Sequence, residues 1–191
     1  MHAEDPVKQL KNFESYKRYT NSLPDKTEGQ QKFDDYVNTS RQLNMLDNEI
    51  KLKEPTANTK VQKDELTALK TQRDTLSRDV SGENQYNSAL KRQQDIDRNL
   101  SNINAQIQKI RNRKDLGAKT KAFEQDHIQL NKLNKLRDQW VNQREEANRE
   151  MALTKNDYLE KTSGMPSNRI PESAKKLLAE REDIKARQKR G

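Results

Sequence analysis

The chain has 191 residues, of which 36% are charged, 29% hydrophobic and 5% aromatic, with five Gly, five Pro and no Cys. Leu, Ile, Val and Phe number 34, about 18% of the chain, under the roughly 20% at which order becomes doubtful. These figures exclude a disulfide framework and a membrane-spanning apolar run, and they argue against a thick multilayer core. The 38 Lys and Arg against 30 Asp and Glu leave a net charge of +8, too small per residue for the self-repulsion of charged disorder.

In chain order, residues 6–21 read as a short helix stopped by Leu23 and Pro24. Residues 28–52 read as a second helix, with Phe33, Tyr36, Val37, Leu43, Leu46 and Ile50 on its apolar side. Lys53-Glu54-Pro55-Thr56 is a boundary, because proline disfavours helix in the residue before it. Leu66, Leu69, Arg73, Leu76 and Val80 form the next stripe, and Ser81-Gly82 is a point where a helix either breaks, kinks or runs on.

The strongest pattern follows. Ala89, Gln93, Ile96, Leu100, Ile103, Ile107 and Ile110 are spaced alternately by four and three residues, which is a coiled-coil seam. A second register runs through Phe123, Asp126, Leu130, Leu133, Arg137, Trp140, Arg144, Ala147, Met151, Thr154 and Tyr158. Gly117 lies between the two and suits a helix C-terminus. The expectation is therefore an all-α protein: an elongated antiparallel coiled-coil hairpin, arms about 59–114 and 119–162, with shorter flanking helices. A turn near 115–118 makes facing positions sum to about 233, pairing Ile110 with Phe123, Ile103 with Leu130, Leu100 with Leu133 and Gly82 with Met151. Ser163-Gly164-Met165-Pro166 ends the second arm, and a last helix opens at Pro171 with Ala174, Leu177, Leu178 and Ile184 on one face. The expected organisation is short helices over 1–57, the hairpin over 58–164, and a basic helix or tail over 165–191.

Little in the chain points to catalysis. His2 and His127 stand alone, the glycines never cluster, and no metal-ligand spacing occurs, so no catalytic, cofactor or metal residue is assigned. Acid pairs such as Glu145-Glu146 read as polar-face residues, and the protein reads as a non-enzyme without a cofactor or small-molecule substrate. Lys109, Arg111, Arg113, Lys114, Lys119 and Lys121 would gather around the hairpin turn, and Lys185, Arg187, Lys189 and Arg190 end the chain. Both clusters are candidate contacts for nucleic acid or an acidic partner. Tyr16-Lys17-Arg18-Tyr19 interleaves rings and cations as single-strand binders do. Five of the nine aromatics fall between Phe13 and Tyr36, however, which favours a packing knot. Met-His-Ala-Glu-Asp-Pro carries no secretion signal, so a cytoplasmic or virion-associated place is expected, without a membrane.

The Gln/Asn-rich stretches Leu66–Arg78 and Arg98–Arg113, followed by the basic end Ala179–Gly191, resemble helical virion proteins of tailed bacteriophages, of the tape-measure, internal-core and DNA-ejection type. The resemblance is one of composition, and it implies a virion component that contacts other subunits or DNA. The sequence thus favours a structural protein that binds a protein partner or its own copies through coiled-coil contacts. The alternative is a nucleic-acid-binding helical protein using the basic tip and tail.

Overall fold

The computed structural model describes residues 6–113, 121–165, 167 and 169–190, without the side chains of 6–9 and 121–122. They form six α-helices: α1 Pro6–Asn21, α2 Lys26–Lys53, α3 Lys60–Ser81, α4 Glu83–Arg111, α5 Lys121–Thr162 and α6 Glu172–Gln188. A single 3-10 turn spans Glu54–Thr56. No strand occurs among the described residues, and the chain is all-α as its spacing predicts. It folds as two compact units, Tyr86–Thr154 and the remainder, Met1–Gln85 with Lys155–Gly191; α4 and α5 contribute to both.

The larger unit is built from short antiparallel pairs. Asp25 caps α2, its carboxylate accepting from the Thr27 and Glu28 amides at 2.8 and 3.2 Å. Positions 29, 33, 36, 40, 43, 47 and 50 of α2 lie inward, again at alternating spacing of four and three. At one end of this stripe, Phe13 and Tyr16 of α1 pack on Phe33 and Tyr36; Tyr16 and Tyr36 have ring centroids 4.5 Å apart. Val80 completes that buried cluster, with Leu76 and Met165 packed against it. The Tyr-Lys-Arg-Tyr segment therefore serves packing, since Tyr16 is fully buried.

Thr59 opens α3 with a reciprocal capping box with Gln62. The first predicted arm, 59–114, is divided in two. Gly82 has φ 76° and ψ 11°, a left-handed conformation that ends α3, and α4 begins at the next residue. Only glycine adopts that geometry without strain, so the break is written into the residue type. The segment α3 pairs with α2: Lys70 reaches Glu54 at 2.6 Å, and Arg73 reaches Asp47 at 3.6 Å.

In the smaller unit α4 lies antiparallel to α5. Ile96, Leu100, Ile103, Ile107, Ile110, Leu130 and Ala147 are buried along the joint, with Leu133 and Trp140 packed against them. The register differs from the expected one. Arg113 meets Asp126, Asp97 meets Arg144, and Gln93 meets Asn148, so facing numbers sum to about 240 instead of 233. The pairings Ile110–Phe123, Ile103–Leu130 and Leu100–Leu133 are thus corrected by one heptad. The reason is geometric: a slip of seven residues carries an alternating four-three stripe onto itself, so apolar spacing alone cannot distinguish the two. The predicted turn at 115–118 lies outside the described residues.

Candidate interaction surfaces

Ile96, Leu100, Ile103, Ile107, Ile110, Leu130, Leu133 and Trp140 gather in the clusters along the α4–α5 joint, and Phe123 has its ring against His127. Ile96, Leu100, Ile103, Ile107, Ile110 and Leu130 are buried, while Phe123, Leu133 and Trp140 are half-buried. The polar seam positions find partners across or beside the joint. Gln93 Nε2 donates to Asn148 Oδ1 at 2.6 Å, and Arg144 Nε meets Asp97 Oδ1 at 2.9 Å. Asp126, only 5% exposed, receives Arg113 Nη1 at 2.6 Å. Such contacts have direction and length, so they hold one register where Leu and Ile alone would tolerate a slip. His127 lies beside the seam, exposed, with its ring edge-on to Phe123 at 4.2 Å.

The basic candidates divide. Lys109 and Arg111 are exposed in the last turn of α4, where cations complement the helix dipole. Arg113 is committed to Asp126, so part of the expected cationic tip closes the hairpin instead. Lys114 and Lys119 lie outside the described residues, as does the side chain of Lys121, the first residue of α5. On α6, Lys185 pairs with Glu182 at 3.4 Å and Arg187 with Asp183 at 3.2 Å; Lys189 and Arg190 follow, all exposed. Lys185 to Arg190 and the Lys109 group belong to different units.

Two polar clusters escaped the sequence reading. The Tyr16 hydroxyl donates to Asp157 Oδ1 at 2.9 Å, and Asp157 Oδ2 holds Lys161 at 2.9 Å while that ammonium lies over the Tyr16 ring. Burial first, and then the Asp157 charge, push the Tyr16 phenol far above the usual tyrosine range; Tyr19 is pushed up for the same reasons. The second cluster is Asp47, 8% exposed, with Arg73 at 3.6 Å and Arg169 at 2.7 Å. Asp47 lies four residues after Leu43 and three before Ile50, so an acid on an apolar stripe was the signal that could have revealed it. By contrast, Glu54 and Lys53 are exposed: the hydrogen bond that Glu54 accepts from Lys70 lowers its carboxyl pKa, and the one that Lys53 donates to Glu49 raises its ammonium pKa.

Beside the Phe13–Tyr36 contact is a pocket of about 60 Å³, lined by Asn12, Leu43, Val80 and Met165 among others. The Asn12 amide donates to the Tyr36 hydroxyl there. A pocket of that size holds a few waters. Among the described residues no three His, Cys, Asp or Glu converge as metal ligands, and no helix is long and apolar enough to cross a membrane.

No family model, curated protein or solved structure matches the chain.

Proposed function

We propose that the chain is a non-enzymatic α-helical assembly protein, acting through helix-to-helix contacts. The observation that carries this reading is the locked register of the α4–α5 pair. Gln93–Asn148, Asp97–Arg144 and Arg113–Asp126 fix which residues face one another, so the hairpin holds its ends at a set spacing. Its mechanism is presentation. A 42-residue helix such as α5 spans about 63 Å, and it exposes Ile128, Leu136, Val141 and Leu153 among polar neighbours. A virion of a tailed bacteriophage is a setting in which such a spacer contacts other subunits.

The test is site-resolved photocrosslinking in extracts of the source cells, with a photoreactive residue placed in turn at Ile128, Gln139, Val141 and Leu153. The reading expects a protein adduct from Ile128, Gln139 and Leu153, which share one flank of α5, and none from Val141, about 140° round the helix from Ile128. Equal yields from every position overturn it.

A second reading rests on Lys109 and Arg111, which are exposed at the end of α4: a nucleic-acid-binding protein that neutralises phosphates at this end. Titration with DNA and RNA at two salt concentrations decides. Binding that falls steeply with salt, and falls less steeply after Arg111→Gln, supports it. No binding at low salt removes it.

A further inference from the structure

The second half of α6 is unsupported by the rest of its unit. Ala174 is fully buried, and Arg181 reaches back to Glu160 at 3.1 Å. From Glu182 to Arg190 every residue is exposed, including Ile184 at 56%. Isolated helices need roughly 12–15 residues in water, so this end is helical only as a continuation of the anchored first half of α6. Within it the helix is supported only by weak, exposed pairs such as Lys185–Glu182 and Arg187–Asp183. Yet its pattern is that of a packed helix. Leu177, Arg181, Ile184 and Gln188 follow at spacings of four, three and four, so Ile184 shares the face that packs further back.

The same unit contains an open groove. It runs between α2 and α3 and is lined by Met45, Leu46, Leu76 and Thr75 with two charged residues, Glu49 and Asp79; no α6 residue lines it. Its volume is about 480 Å³, and Met45 is 71% exposed. Both charges are acidic and exposed. Residues 182–190 carry four cations, Lys185, Arg187, Lys189 and Arg190, against two acids.

We propose that the distal half of α6 docks, in a second copy of the chain, into the groove between α2 and α3. Ile184 lies on Met45 and Leu76, completing a three-helix packing, while Lys185 and Arg187 face Glu49 and Asp79. Glu49 exchanges its exposed partner Lys53 for the incoming cation. The inference deepens the assembly reading and rests on it, naming the surface and the partner. Two copies exchange their α6 ends in a two-fold dimer, or successive copies join head to tail; the contact is the same. Nine residues in a groove bury less than the roughly 1,200 Å² of a stable interface, so the association is weak, reversible and salt-sensitive.

Sedimentation velocity on the full chain, over about a hundredfold range of concentration and at two salt concentrations, tests this. Reversible association is expected, weakened about tenfold or more by Ile184→Glu. The pair Glu49→Lys with Asp79→Lys is expected to weaken it likewise, as is Lys185→Glu with Arg187→Glu; all four together restore it. All these positions are exposed, and helicity by circular dichroism checks that each variant is folded. A monomer at every concentration overturns the inference, as does association indifferent to Ile184 and to the charge reversals. Retention of DNA or RNA by the α6 end on a chain that stays monomeric overturns it too. None of these outcomes touches the assembly reading, which stands or falls on the α5 crosslinks.

Discussion

Tyr16 has no water to hold its charge, and the group its hydroxyl meets is already an anion. Both facts keep the proton on, and Tyr19 is biased the same way. An unfolded phenol titrates near about 10. Because the folded phenols are raised above that value, their contribution is complete below pH 10 and is lost as pH climbs above it. Thermal melts should accordingly be level from about pH 8 to 9.5 and fall above 10. Tyr16→Phe should soften that fall while lowering stability at neutral pH by about 1.5–3 kcal/mol, the net worth of a hydrogen bond to a charged acceptor. Identical alkaline slopes in the two proteins would count against the assignment. Gly29 makes a different demand. It sits inside α2 with ordinary helical dihedrals, yet a Cβ there would strike the Thr20 carbonyl of α1. Alanine, normally the better helix former, should therefore destabilise by about 2 kcal/mol as α1 is pushed off α2. A chemical-denaturation series on Gly29→Ala checks the sign, and a gain in stability would refute it.

At the scale of elements, the polar contacts along α4 and α5 are unequal. Asp126 is buried and Arg113 is its partner, whereas Asp97 and Arg144 are both about half exposed. Arg113→Ala should cost about 1–2 kcal/mol, less than a fully buried pair because the guanidinium still touches water. Arg144→Ala should cost under about 0.5 kcal/mol. Double-mutant cycles in urea measure both, and equal coupling energies would contradict the burial argument. These contacts also explain what the sequence could not reveal. The apolar stripes Ala89–Ile110 and Phe123–Tyr158 predict two helices and their facing sides correctly, because period and face are local properties. Register is a relation between helices, and a heptad slip leaves every apolar pairing plausible. The deciding pairs link residues 13 to 55 positions apart, such as Arg113–Asp126 and Gln93–Asn148. At Gly82 the residue type left a break, a kink and an uninterrupted helix all open, and the left-handed φ that decides for the break came only with the fold. Gly82→Ala should cost about 1–2 kcal/mol, since its Cβ would also lie 3.1 Å from Asp157 Oδ2.

Over the whole molecule, scarce hydrophobicity is divided among several narrow stripes instead of one core. That economy was visible in the 34 Leu, Ile, Val and Phe residues, and the folding of α3 onto α2 was not. Its stripe Leu66, Leu69, Arg73, Leu76 and Val80 would equally have continued the long arm; Gly82 and the 3-10 turn at Glu54–Thr56 return it to α2. Narrow seams give uneven stability, because an amide opens at the cost of the packing above it. Amides of Ile96 to Ile110, on a helix whose apolar side chains are buried, should exchange with deuterium slowest. Those of Met45 to Leu52 and Val61 to Leu69, where the pair α2–α3 leaves Met45, Leu52 and Val61 exposed, should exchange faster. Residues 182–190 should exchange fastest in dilute solution. If the α6 end docks on a second copy, raising the protein concentration should slow exchange in two places together: 182–190, and the groove strips 42–49 and 72–79. Protection that rises in 182–190 alone would mean another site receives that helix, because a shared contact protects both of its sides.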